Sequence, residues 1–433
     1  MPGFEAFAAM NPVERALAAI ANPSGEGART FIRVHRDSAL STAARIGEDV
    51  RRGARRAPLA GMPISIKDNF DEAGVITLAG SKVLATAPAA VRDSAVVERL
   101  RTAGAVIVGR TNMTEFAYSG LGINPHYGTP RNVYDRAAAR IPGGSSSGAA
   151  ISVTDGMAVA AIGTDTGGSV RIPAALNGLV AFKPTARRVP LDGVLPLSLT
   201  LDSAGPIART VKDCVTLDRV LSSSTTDLPT VSLHGLRLAV PKTLVLDDLS
   251  VAVSTAFTRA LSRLSAAGAA ISDAPVPEFA GAAEVSGAIS SAEAYWWHRE
   301  WLKQGDAYDP RVAMRIRRGQ ATDAATYIDM LQKRRRFVSD IEDALRGFDA
   351  LLMPTVPETA PTIAEVIASD EIYLRFNSRM LRNTSLVNLF DGCALTVPCH
   401  AMGEAPVGLS IAGTAGQDDR VLAIGLAIES LRL

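Results

Sequence analysis

Hydrophobic and polar positions along the chain change period repeatedly, and each change marks an element. Pro63-Ile64-Ser65-Ile66-Lys67-Asp68 is an apolar run closed by charge and predicts a buried strand. Over residues 94–103 the apolar positions Val96, Val97 and Leu100 fall on one helical face; Gly104 stops the helix, and residues 105–109 read as the next strand. Helix followed by strand in this alternation predicts an α/β fold. Upstream, residues 4–50 read as helices. One opens at Pro12, in the first helical position after an Asn11 N-cap, and another covers 37–52.

Residues 118–168 are rich in Gly, Ser, Pro and Asn, broken by a helix-like run at 148–155 and a strand-like run at 158–162. A Ser/Thr-rich loop at 222–232 precedes a strand at 236–241 and an amphipathic helix at 250–267. Residues 280–347 read as mostly helical, and 350–354 as a buried strand ended by Pro354. The last part holds a helix after 372, a strand at 394–398 and a final helix at 418–431. No internal repeat and no linker interrupts this. The expected organisation is a single domain over 1–433, a central mixed β-sheet flanked by helices, with a variable, mainly helical segment over 216–345 that sets substrate specificity.

Composition narrows the function classes. With 433 residues, 47% hydrophobic and 21% charged, the chain is an ordinary globular one. A formal net charge of +1 argues against nucleic acid or an anionic membrane as the main partner. Three cysteines (Cys214, Cys393, Cys399) form neither a disulfide framework nor a C-x-x-C pair, which argues against structural zinc and fits a reducing cytoplasm. No apolar run approaches the roughly 18 residues of a membrane span. Residues 1–5 do not open a secretory leader. No cluster has metal-ligand spacing, so neither metal nor organic cofactor is expected.

The chemistry concentrates in two glycine-serine segments, Pro142-Gly143-Gly144-Ser145-Ser146-Ser147-Gly148-Ala149-Ala150 and Gly163-Thr164-Asp165-Thr166-Gly167-Gly168-Ser169-Val170-Arg171. Glycines let the backbone approach a ligand, and successive N–H groups can hold an anion. Either loop alone reads as hydrogen-bonded architecture. Lys67 changes the weighting. Lysine is scarce in this chain, and a desolvated lysine can serve as a neutral base where arginine cannot. The alternative is a strand-end lysine with its ammonium in water.

Together with the Ser65-Ile66-Lys67-Asp68 run, these segments resemble the amidase signature family of serine hydrolases. So do Gly109-Arg110-Thr111-Asn112-Met113-Thr114-Glu115-Phe116, Phe182-Lys183-Pro184-Thr185 and Leu201-Asp202-Ser203-Ala204-Gly205-Pro206. The likeness is strong over 58–214, weaker over 350–433 and poor over 216–345. It implies that Ser169 is the nucleophile, that Ser145 bridges after a cis Gly144–Ser145 peptide bond, and that Lys67 is the terminal base. The backbone N–H groups of Thr166, Gly167, Gly168 and Ser169 then hold the oxyanion. Ser146 corresponds to a serine bonded within the site, to Lys67, with a packing role equally open. For Asp165 and Arg171 structural hydrogen bonding is favoured over substrate contact. Ala117 and Tyr118 fall in the acyl-pocket loop, although Tyr118 fits ordinary core as well. The implied reaction takes a small amide to an acid plus ammonia or amine through an acyl-enzyme. A homodimer stays open.

Three rivals share these residues. Gly144-Ser145-Ser146-Ser147-Gly148 matches the nucleophile elbow of an α/β-hydrolase-type esterase. That elbow needs a strand directly before it and a partner among His234, His298 and His400, none of which sits in an informative motif. Phosphate binding lacks the G-x-x-x-x-G-K-[ST] spacing. The glutaminase component of a tRNA-dependent amidotransferase has the same family resemblance, and the short stretch ahead of Lys67 favours a stand-alone amidase over it. Trp296, Trp297 and Trp301 with His298 read as core packing, with lining of an acyl tunnel as the sharper alternative.

Overall fold

The computed structural model describes residues 11–431 and 433. The readings of helix at 4–10 and of no leader at 1–5 lie outside these residues. One sheet organises the molecule. Its eleven strands are β1 (Phe31–Val34), β2 (Pro63–Lys67), β3 (Val106–Thr111), β4 (Ala160–Asp165), β5 (Val180–Lys183), β6 (Ser203–Ala208), β7 (Arg237–Pro241), β8 (Ala270–Ala274), β9 (Ala350–Pro354), β10 (Cys393–Pro398) and β11 (Gly408–Gly413). They lie in the order β1-β3-β2-β4-β6-β5-β10-β11-β9-β7-β8. β3, β2 and β4 run parallel, as do β9, β7 and β8, and the strands between these two groups pair antiparallel. The sheet is therefore mixed, as expected.

Helices cover both faces because alternate strand residues must be buried on each side. On one face Ile64, Ile66, Ala160 and Ile162 pack with Val211 and Leu217 of helix Val211–Ser222 and with Val421 and Ile424 of helix Asp418–Ser430. On the other, Ala161, Ala181 and Ile207 meet Ala149, Ala150 and Val153 of helix Ser147–Thr154. This second layer is built from small side chains, so that helix lies close to the sheet.

Several strands differ from the sequence reading. β1 falls inside residues read as helical: Phe31, Arg33 and Val34 pair antiparallel with the edge of β3, a long-range contact with no local period. β6 carries Gly205 and Pro206, both strand-breaking by local rule. The ladder with β5 stops at Ala181↔Ile207, just before Pro206. A Cβ on Gly205 would sit 2.0 Å from the Phe182 carbonyl oxygen, so only glycine allows β5 this close. Residues 216–345 contribute β7 and β8, which close the far edge of the same sheet, and the helices Val251–Ala266, Ala282–His298, Pro310–Arg317 and Ala324–Ala344.

Candidate active site

Parallel pairing sets the C-terminal ends of β2 and β4 side by side. That juxtaposes Lys67, the last residue of β2, with Thr164 and Asp165 at the end of β4. Every residue of β2 is buried, Lys67 included. Its Nζ lies 2.7 Å from Ser145 Oγ, 2.8 Å from Thr164 Oγ1 and 3.4 Å from the Thr164 carbonyl oxygen. Burial pushes the Lys67 ammonium down to about 7, against an upward pull from the charges of Asp202 and Asp165. Near neutrality a large share of Lys67 is thus the free amine, with a lone pair 2.7 Å from a hydroxyl.

The two glycine-serine loops meet at this point. The Gly144–Ser145 peptide bond is cis. Ser145 O accepts from Thr114 N at 3.0 Å, and Ser146 N donates to Ser169 O at 3.2 Å, joining one loop to the other. The Ser146 hydroxyl turns to Thr164 O (3.4 Å), whereas the expected bond from Ser146 to Lys67 is absent among the described residues. Two other acceptors, Ser145 and Thr164, already fill the space around the amine. Ser169 lines the adjoining cleft, and its hydroxyl makes no hydrogen bond to a described residue.

Asp165 holds the nucleophile loop. Its Oδ1 accepts from Gly168 N at 2.7 Å and its Oδ2 from Val170 N at 3.1 Å. Arg171 grips both carboxylate oxygens at 2.9 and 3.1 Å, and Asn388 bridges the pair. All of this is buried. Burial alone would raise the Asp165 carboxyl, but the charge and hydrogen bonds of Arg171, with Lys183 and Asn388, hold it well below the usual carboxylate range. One expectation is corrected here. Gly168 N–H belongs to Asp165 and is not available to an oxyanion. The N–H groups of Thr166, Gly167 and Ser169 have no protein partner among the described residues.

The cleft beside Ser169 encloses about 220 Å³. Thr166 and Gly167 form one wall with Ser169; Ala117, Tyr118, Leu197 and Leu201 also line it. Phe116 and Ala117 hold left-handed backbone (φ 50° and 61°), costly for non-glycine residues and typical of functional loops. Arg315 stacks on the Tyr118 ring at 4.2 Å and donates to the Tyr118 carbonyl. Asn377 accepts from Ser119 Oγ and Gly120 N at 2.8 and 2.9 Å.

Four contributors were not assigned roles from sequence. Thr164 and Asp202 stand inside the quoted motifs, so a signal existed. Thr164 holds Lys67, and Asp202 accepts from the Thr166 hydroxyl. Asn388, which bridges Asp165 and Arg171, and Arg382, which lines the cleft beside Ser169, lie far downstream with no local signal.

The elbow alternative fails on geometry. No strand immediately precedes residues 144–148, and none of the three candidate histidines bonds to a serine there. His234 is exposed. Buried His298 bonds to Tyr308 Oη at 3.0 Å, and His400 sits beside Gly178. His298 and Trp301 pack on Phe116, with ring centroids 4.3 and 6.2 Å away, so this cluster backs the cleft loop and does not line the cleft.

An amidase family model matches residues 14–422. Among curated proteins, the chain is 36% identical over 400 residues to a 2-amino-5-chloromuconic acid deaminase of Comamonas testosteroni, covering 91% of this chain and 86% of that one. It is 34% identical to a glutamyl-tRNA(Gln) amidotransferase component of Symbiobacterium thermophilum, covering 93% and 89%. Among solved structures, one described as an amidase superposes with a TM-score of 0.88 at 34% identity, covering 98% of this chain and 95% of the other. Among the described residues, no helix is long and apolar enough to cross a membrane.

Proposed function

The chain belongs to the amidase signature family of hydrolases, and from that premise we propose that it hydrolyses a small linear carboxamide to the acid plus ammonia or amine, through Ser169, Ser145 and Lys67. The contact that carries this reading is the 2.7 Å approach of a buried Lys67, free of any carboxylate contact, to Ser145. An unassisted serine hydroxyl is a weak nucleophile and needs an adjacent base. Neutral Lys67 takes the Ser145 proton while Ser145 takes that of Ser169, and Ser169 Oγ attacks the carbonyl carbon. Catalytic hydrogen bonds are often loose in unliganded enzymes, and in this reading the relay closes on Ser169 when substrate binds. The N–H groups of Thr166, Gly167 and Ser169 receive the developing oxyanion, each such donor lowering the barrier by about 2.7–4 kcal/mol. Collapse expels the amine, which takes its proton from the reversed relay. A water, deprotonated by the same relay, then releases the acid.

The segment 216–345 contributes to substrate choice in this reading, since Ser286, Ser290 and Arg315 reach the cleft from it. The test is labelling with a fluorophosphonate, located by mass spectrometry, beside an amide panel read by ammonia release. Modification at Ser169 is expected; modification elsewhere overturns the assignment. A second reading, the glutaminase component of an amidotransferase, draws on relatives of that description at 31–34% identity over 92–93% of the chain. Ammonia release from glutamine in preference to every other amide in the panel would favour it.

A further inference from the structure

The cleft beside Ser169 is lined by two arginines, Arg315 and Arg382, and by no acidic side chain among the described residues. The two cations differ. Arg315 is occupied by the ring and carbonyl of Tyr118. Arg382 donates from Nε to Asn383 Oδ1 at 3.1 Å, while its Nη2 is buried and has no partner among the described residues. Three acids act on it through space, Asp247, Asp248 and Glu358, and none is within ion-pair distance of it. Arg379, three residues earlier, pairs with Asp248 and, at 3.1 Å, with Glu358. A half-buried guanidinium with no carboxylate in contact costs desolvation free energy that an anionic ligand would recover.

Its place in the fold fits a substrate contact. Thr384, two residues on, donates to the Gly167 carbonyl at 2.6 Å, fixing this segment against the nucleophile loop. Leu381 Cδ2 lies 3.3 Å from where a side chain on Gly167 would begin. Beside Arg382 the lining carries the hydroxyls of Ser286, Ser290, Ser378 and Ser385, together with the apolar Leu381 and Ala283. A long alkyl or aryl acyl group would cover these hydroxyls without pairing them, whereas a short acyl chain fits against Ala117, Leu197 and Leu201 and leaves the polar wall to its far end.

Resting on the amidase reading above, the geometry points to a substrate that is a small anionic amide, whose acyl chain ends in a carboxylate received by Arg382. Planar guanidinium–carboxylate pairing supplies both charge and orientation. The arginine thereby registers the amide carbon against Ser169.

The experiment compares succinamate and glutaramate with neutral isosteres; for succinamate this is 4-oxopentanamide, in which methyl replaces one carboxylate oxygen. The expected preference in kcat/KM for the anionic amides is about 30–100-fold. Arg382→Met should collapse that ratio towards one, and Arg382→Lys should restore part of it. A separate arm needs no turnover. Calorimetric titration of Ser169→Ala with succinate and glutarate should show binding that the added Arg382→Met change removes. Ser169 labelled by fluorophosphonate, with neutral amides cleaved as well as anionic ones, overturns the anion subsite and leaves the amidase reading standing. Absence of label and of turnover overturns the amidase reading, and the titration then decides the subsite alone. Equal dicarboxylate binding with and without Arg382, or none, overturns it.

Discussion

Arg171 and Arg382 face the same nucleophile loop from opposite situations. Arg171 is wholly buried yet matched by a counter-charge, with Asp165 on two nitrogens and Asn388 on one of them. Arg382 is only half-buried and has no acid in contact. The first arrangement holds a loop whose carboxylate also pins Gly168 and Val170. The second leaves a charge waiting on the cleft wall. Lys67 stands between them: as buried as Arg171 and as free of a carboxylate contact as Arg382, it resolves the conflict by giving up its proton near neutral pH. Around this loop the matched charge is architecture, and the two without a carboxylate contact, Lys67 and Arg382, are those to which the proposed proton relay and ligand are assigned.

The comparison breaks most directly at the nucleophile. Ser169→Ala should lower turnover by about 10⁵-fold or more, since residues acting as one relay lose nearly everything when one is removed. Its melting temperature should stay close to the parent's, because the hydroxyl makes no hydrogen bond to a described residue. A variant that keeps even a hundredth of the activity would move the nucleophile elsewhere. Next in size is Lys67→Ala, expected to cost about 10³–10⁴-fold, the upper range for general-base catalysis. The pH profile carries the sign. The neutral amine is the active form and burial sets it at about 7, so kcat/KM should fall about tenfold per pH unit below 7 and level off above it. The variant should lose that limb, and a parent profile flat from pH 5 to 9 would exclude Lys67 as the base.

Breaking the matched pair should instead appear in stability. Asp165→Asn leaves Arg171 buried without its counter-charge, a change that typically costs about 3–5 kcal/mol. Because the folded-state carboxyl lies below its ordinary value of 3.8, its contribution is fully present above that pH and fades as pH falls through the depressed value. Denaturant unfolding should therefore separate parent and variant most widely near neutral pH and bring them together in acid. Equal unfolding midpoints at pH 7 would mean that Arg171 finds another partner.

Much of this was legible in the chain because the triad is carried by local signals. Lys67 closes an apolar run, and Ser145 and Ser169 sit in glycine-rich segments whose backbone must approach other groups closely. β2, β7 and β9 were readable because continuous apolar runs in buried strands need no alternation. β6 was not: Gly205 and Pro206 look like a turn, and only the ladder to β4, in which Gly163 faces Gly205, makes them a strand. The Gly168 assignment failed for a related reason. Sequence counts four consecutive N–H groups but cannot tell that Asp165, three residues earlier, folds back to claim one. Arg382 was invisible because its meaning lies in what is missing around it.

The smallest effect sharpens the contrast between neighbours. Ser145 and Ser146 are adjacent and both buried, yet only Ser145 touches the amine, while Ser146 bonds to the Thr164 carbonyl. Ser146 Oγ would lie 2.5 Å from a Cβ on Gly163, so its hydroxyl fills the space that this glycine leaves open. Ser146→Ala removes a long 3.4 Å bond to a carbonyl that Lys67 also approaches, at the same distance. The expected cost is about 1 kcal/mol of stability with activity held within a few-fold, whereas Ser145→Ala should cut the relay and lose turnover by orders of magnitude. Measuring both variants by ammonia release and thermal unfolding tests whether the hydroxyl on Lys67, rather than the serine-rich loop as a whole, carries the proton. Equal losses in the two would make the loop a single packed unit and remove Ser145 from the relay.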